Sequence, residues 1–147
     1  MLRCPADVPG TPGGGGIHFY DRGQYLTSYI WNGAVIGYAN GATYKSSRFK
    51  ADAILIWEAD ERTPYFFNDA SSYPDEGISE RHGKGATVGL FGGAALRMNL
   101  SDFYWLAAHQ LTKWTGASGG GFAVVQAAGN APNQLWCNPR PGSNGGP

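Results

Sequence analysis

The chain has 147 residues, enough for one domain with a real core and too few for two comfortable ones. Eleven basic residues cancel eleven acidic ones, so charge gives no reason to expect nucleic acid or another polyanion as partner. Aromatics at 14% exclude a disordered chain, 23 glycines point to loops and tight turns, and no apolar run approaches the ~20 residues of a membrane span. No basic segment followed by an apolar one marks a signal peptide, so the chain as written is expected to begin soluble and untargeted.

Cys4 and Cys137 lie near the two ends. Spacing leaves two readings open, a pair of unrelated free thiols or one disulfide closing nearly the whole chain. Such a bridge would contribute about 4–5 kcal/mol in the chain-entropy view and requires an oxidising compartment. No Cys-x-x-Cys pair is present, so the usual zinc spacing is missing. Residues 5–16 are expected to be loop, with four glycines at 13–16. No Gly-Lys-Ser/Thr follows them, which removes a phosphate-loop reading.

From Gln24 to Tyr38 the β-branched and aromatic residues predict an extended segment broken at Asn32-Gly33, while Ser46 to Lys50 is left unassigned. Ala53 to Glu58, AILIWE, is a continuous apolar run of strand length, which predicts a central strand covered on both faces. Glu58, Asp60, Glu61 and Arg62 crowd its exit. Ala86–Phe91 and Ala94–Met98 read as a hairpin about Gly92-Gly93, expected to be a two-residue type I′ or II′ turn. Ser101 is expected to cap a helix carrying Phe103, Leu106, Ala107, Leu111 and Trp114 at helical spacing and ending at Gly116. A glycine-rich hinge at 118–121, a short strand over Phe122–Ala127 and a flexible tail near 140–147 complete the chain. The expected class is α+β, a small antiparallel sheet with one helix in a single unit over residues 1–147.

Chemistry is densest just before the hairpin, at Asp75, Glu76, Arg81 and His82. A His beside glycines is most often a structural hydrogen-bonder, here pinning the hairpin. As a catalyst His82 would act as general base on water, since its ordinary pKa of ~6.5 suits neutral pH. Seryl chemistry lacks its elbow, because Ser118 sits in GASGG. His18, His82 and His109 are too dispersed in sequence to argue for a zinc hydrolase.

Several short motifs, taken together, resemble a large group of prepilin-like proteins, the type II secretion pseudopilin-like family marked by a His, nine residues and then Asp-Gly. Cys4-Pro5-Ala6-Asp7 is similar to its Cys-Pro-Ser/Ala-Asp element, and Ser28-Tyr29 with Asn32 to its Ser-Tyr-x-x-Asn segment. Phe67-Asn68-Asp69, Tyr73 through Gly77 and Arg81-His82-Gly83 resemble the run around the His, and Leu135-Trp136-Cys137-Asn138-Pro139 the tail. After His82 the spacing of nine residues is kept, but Gly92-Gly93 replaces Asp-Gly. Any family site built on that Asp is therefore absent.

The resemblance implies a pseudopilin-like head that follows a cleaved hydrophobic helix in the cell envelope or periplasm. No such helix is visible in this chain, which leaves a packing face open for self-association or for other pilin-like subunits. It also implies testing calcium, which major pseudopilins carry in a loop of the head. Asp69, Asp75 and Glu76, with Asn68, Ser71 and Ser72, are the candidate oxygen ligands for Ca2+, although the EF-hand pattern is missing. The plainer reading is a solvated acidic loop in which Asp69 and Glu76 cap backbone and pair with Arg81. Three functions follow as expectations. The first is a structural or interacting pseudopilin-like head. The second is a calcium-dependent hydrolase of a small ester or lactone using His82, and the third a carbohydrate- or surface-binding module.

Overall fold

The run AILIWE does form the middle of the sheet. A computed structural model describes residues 2–8, 22, 27–33, 35, 44–60, 71–72, 77–109, 113–115, 123–125, 134–135 and 137. Strand β2 (Ile54–Trp57) is flanked antiparallel by β1 (Ile30–Asn32) and by β4 (Gly85–Leu90). Outside β4 lies antiparallel β5 (Ala95–Asn99), and outside β1 the two-residue β3 (Ser71–Ser72) runs parallel. The order is β3-β1-β2-β4-β5, so the fold is α+β, with four antiparallel strands at its heart.

Residues opposite each other in a sheet share a face. The register sets Ile30 against Trp57 and Trp57 against Val88, with Ala86 against Met98 two positions along. All five are buried. Helix α1 (Leu100–His109) closes this face by laying Phe103 on Trp57, ring centroids 5.6 Å apart, and burying Leu106 three residues on. Full burial of a large apolar side chain contributes about 1.5–3 kcal/mol, so this row supplies much of the drive to fold. The indole of Trp57 meets the polar condition of burial by donating to the Gly77 carbonyl at 2.9 Å.

The hairpin is where the sequence placed it, but its turn differs. Leu90 N–H donates to Ala94 O, and Gly93 N–H donates to Leu90 O, at 2.9 and 3.0 Å. Gly93 alone of the glycine pair has positive φ, +85°. The loop therefore has three residues, a type I turn followed by a left-handed glycine. Gly92 is demanded by space instead, because a Cβ there would lie 2.9 Å from the Ala51 carbonyl, which accepts the Gly92 N–H.

The helix also departs from expectation at both ends. It begins at Leu100, so Ser101 lies in the first turn and Asn99, another favoured capping type, precedes it. Trp114 is not on it. Lys113–Thr115 forms β6, which pairs antiparallel with β7 (Ala123–Val125) in a separate two-stranded sheet. A short run with Trp and Thr suits either period, and pairing with a second β-branched segment decides it. The unassigned Ser46–Arg48 is a single 3-10 turn. Among the described residues, no helix is long and apolar enough to cross a membrane.

Candidate functional site

Glu58 follows Trp57 at the exit of β2, and its side chain has no solvent exposure. A carboxylate in that position is costly unless it is paired and hydrogen-bonded. Thr87 N–H donates to Oε2 at 2.7 Å, and Arg81 Nη1 donates to Oε1 at 3.1 Å. His82 Nε2 faces both oxygens, at 3.3 and 3.2 Å. Arg81 then bridges to a second buried carboxylate, Asp7, through Nη2 at 3.2 Å. Asp7 also receives paired bonds from Arg22 at 2.9 and 3.0 Å and the Ser28 hydroxyl at 2.7 Å. Ser28 Oγ in turn accepts the Cys4 N–H at 2.9 Å.

The cluster thus fastens the N-terminal segment to the sheet. Backbone bonds reinforce it, with Asp7 N–H donating to Cys4 O and Ser28 N–H to Leu2 O, at 2.9 and 3.0 Å. Burial pushes the Asp7 carboxyl up, but hydrogen bonds from Arg22 and Ser28 and the charges of Arg81 and Arg22 outweigh it. Asp7 is therefore held below the ordinary carboxylate range and stays ionised.

A turn aims His82 at this cluster. Gly83 and Lys84 both have positive φ, +64° and +55°, the φ signature of a type I′ turn, and His82 N–H donates to Gly85 O at 3.2 Å. The geometry expected at Gly92-Gly93 thus occurs nine residues upstream, beside the histidine. His82 Nε2 also lies 3.3 Å from Cys4 Sγ. A Cys-His-acid relay uses the two ring nitrogens in opposite directions. Here one nitrogen faces both the thiol and the acid. Burial and the bond to Glu58 push the Cys4 thiol up more than the Ala6 backbone and the Arg81 charge lower it, so it is held as a thiol rather than a nucleophilic thiolate.

The other end of the chain is held by Asn32, which is fully buried. Its Nδ2 donates to Ile54 O at 2.8 Å and to Leu135 O at 2.7 Å. Two carbonyl acceptors require the amide nitrogen at that position, so the side-chain orientation is fixed chemically. Ile54 N–H meanwhile donates to Gln134 O at 2.8 Å, which clamps the tail to β2 from both sides.

Of the two readings left open for the cysteines, the structure has the free thiols rather than the disulfide. Cys4 and Cys137 are both free and buried. Cys4 faces His82, whereas Cys137 Sγ lies against Ile54 O at 3.8 Å and the Asn32 amide at 3.7 Å. Long-range polar clamps take the place of the cross-link. Burial pushes the Cys137 thiol from 9.0 up to about 12. A group whose folded pKa is raised contributes stability in full below its unfolded value and loses it as pH rises toward the folded one. Stability should therefore fall above pH 9.0 by up to ~1.4 kcal/mol per pH unit from this thiol. Denaturant titrations below and above that pH should show a shallower decline in Cys137→Ala, and an unaltered slope contradicts the assignment.

Of the residues singled out from sequence, Cys4, Arg81 and His82 meet at one place. Asp69, Asp75 and Glu76, the candidate calcium ligands, lie outside the described residues. Glu58 and Arg22 were assigned no role by sequence reasoning and Asp7 only membership of a motif, yet the three form the heart of the cluster. No family model, curated protein or solved structure matches the chain.

Proposed function

We propose that this chain is a pseudopilin-like head with a structural or interaction role, acting through its surface rather than through a reaction. One observation carries the reading. The described residues of the motifs behind the resemblance, scattered over the sequence, fall into two sets of staples. Cys4, Asp7, Ser28, Arg81 and His82 gather around Glu58, while Asn32 holds Leu135 and Cys137. Residues that recur because a fold needs them should behave in this way, each bonded to another part of the fold. Exposed aromatics lie on two separate surfaces, Trp105 and Tyr104 on α1 at 56% and 41% and Trp31 on the opposite face of the sheet at 47%, and the α1 pair is the surface offered to a second copy or to other pilin-like subunits.

The test combines sedimentation velocity with a screen of small esters and lactones, run with and without chelator. The expected result is association that rises with concentration, weakens in Trp105→Glu, and is accompanied by no turnover. Chelator-sensitive turnover abolished by His82→Ala would overturn the structural reading in favour of a hydrolase.

A further inference from the structure

Cys4 Sγ, His82 Nε2 and the Glu58 carboxylate come from three separate segments, and their ligand atoms all lie within 4.8 Å of one another. We propose that Cys4, Glu58 and His82 form a binding site for one divalent transition-metal ion of the zinc class. This inference is independent of any pseudopilin-like role.

Spacing is the first argument. Zinc bonds of about 2.0–2.3 Å at tetrahedral angles separate neighbouring ligand atoms by roughly 3.3–3.6 Å. The sulfur–nitrogen separation is 3.3 Å, and the nitrogen–carboxylate separations are 3.2 and 3.3 Å. A small displacement of the half-exposed imidazole opens the centre to an ion.

Proton counting is the second. Nε2 carries at most one hydrogen, yet it faces a sulfur and two carboxylate oxygens at bonding distance. With only weak S–H donation from Cys4 and at most one hydrogen on Nε2, the lone pairs of three residues converging on one point suit a cation. The carboxylate has capacity to spare, since Arg81 and Thr87 each occupy one of its roughly four lone-pair sites.

Support and access are the third. The outer bonds that orient metal ligands are in place. Thr87 N–H and Arg81 fix Glu58, Ser28 Oγ accepts the Cys4 N–H, and the turn at Gly83-Lys84 sets the His82 backbone. His82 is the outermost member, with 34% of its side chain exposed, against none of Glu58. An ion enters past it, and water takes the fourth position. The ligand set selects the metal. A thiolate with an imidazole suits zinc, cobalt or copper and not calcium, which takes oxygen ligands alone. On binding, the Cys4 S–H bond breaks, the sulfur bonds the metal, and one proton leaves to solvent.

The test titrates the reduced, chelator-treated full chain with Co2+. Expected are one ion per chain, a thiolate-to-cobalt charge-transfer band in the near ultraviolet, the intense visible bands of four-coordination, and displacement by Zn2+. Cys4→Ser should abolish the charge-transfer band and Cys137→Ser should keep it. His82→Ala should weaken binding at least tenfold. X-ray absorption on the wild-type zinc form gives an answer that needs no variant to fold, with one sulfur and otherwise nitrogen or oxygen in the first shell. A shell without sulfur, absence of the charge-transfer band in a natively folded chain, or a band that survives Cys4→Ser overturns the proposal.

Discussion

Glu58→Ala should cost about 3–5 kcal/mol in reversible denaturant unfolding, the largest loss expected from any single polar residue among those described. The reason is less the bonds it makes than the groups it leaves behind. Arg81, His82 and the Thr87 N–H all converge on this carboxylate at 2.7–3.3 Å. Replacing a buried pair with apolar groups can be nearly neutral, but removing one partner strands the other, at about 3–5 kcal/mol. Asp7 remains, but it is one carboxylate facing both Arg22 and Arg81, so a buried guanidinium charge is left uncompensated while the Thr87 amide and His82 lose their acceptor. Arg48→Ala, on the exposed 3-10 turn, serves as control and should change stability by no more than about 0.5 kcal/mol. A loss under about 1 kcal/mol for Glu58→Ala contradicts the account.

Asn32→Asp is the second large effect, and pH gives it a signature. The substitution keeps the shape of the side chain but replaces the donor nitrogen with oxygen, facing the Ile54 and Leu135 carbonyls at hydrogen-bonding distance. Three oxygens then crowd a fully buried point, so at neutral pH the cost should be at least ~3 kcal/mol. Protonation restores one donor. The introduced carboxyl thus has a folded pKa raised above its unfolded value, and the deficit relative to wild type should shrink as pH falls toward the ordinary carboxylate range. Asn32→Ala strands the same carbonyls without adding charge and should cost less, with little of that pH dependence. A deficit in Asn32→Asp that is the same at neutral and acid pH would show that the amide does not hold the tail as described.

Local pattern carried the sheet well. AILIW is apolar throughout and of strand length, and such a run has few places to go except the middle of a sheet. The hairpin was legible from two apolar runs about a glycine pair, but not its loop length, because Gly92 is a glycine for space and Gly93 for conformation. The helix terminus misled because Trp114 fits both a helical stripe and a strand, and only its partner β7 distinguishes them.

The cluster was harder to read because its members are far apart in the chain. Cys4 and His82 are 78 residues apart, Glu58 and His82 are 24, and Asp7 and Arg22 are 15. Metal-spacing rules look for neighbours in sequence and so passed over Cys4 and His82. Glu58 left one faint signal, an acid at the end of the most apolar strand, where a side chain must either reach water or find partners. Arg22 left none. The His82 region was expected to keep its chemistry upstream, at Asp69 through His82. The structure ties the His82 end of that stretch to the N-terminal segment and to the exit of β2.

If these polar residues hold the chain ends on the sheet, the N-terminal segment must open only when the sheet opens. Native-state hydrogen exchange reads this directly. The Cys4, Asp7 and Ser28 amides, bonded to Ser28 Oγ, Cys4 O and Leu2 O, should be protected to within ~1 kcal/mol of the amides of β2 and β4. In Arg81→Ala they should lose protection well before those strands do. Rapid exchange at Cys4 and Ser28 in the wild type, beside a fully protected β2 and β4, would show a frayed terminus and contradict the central claim.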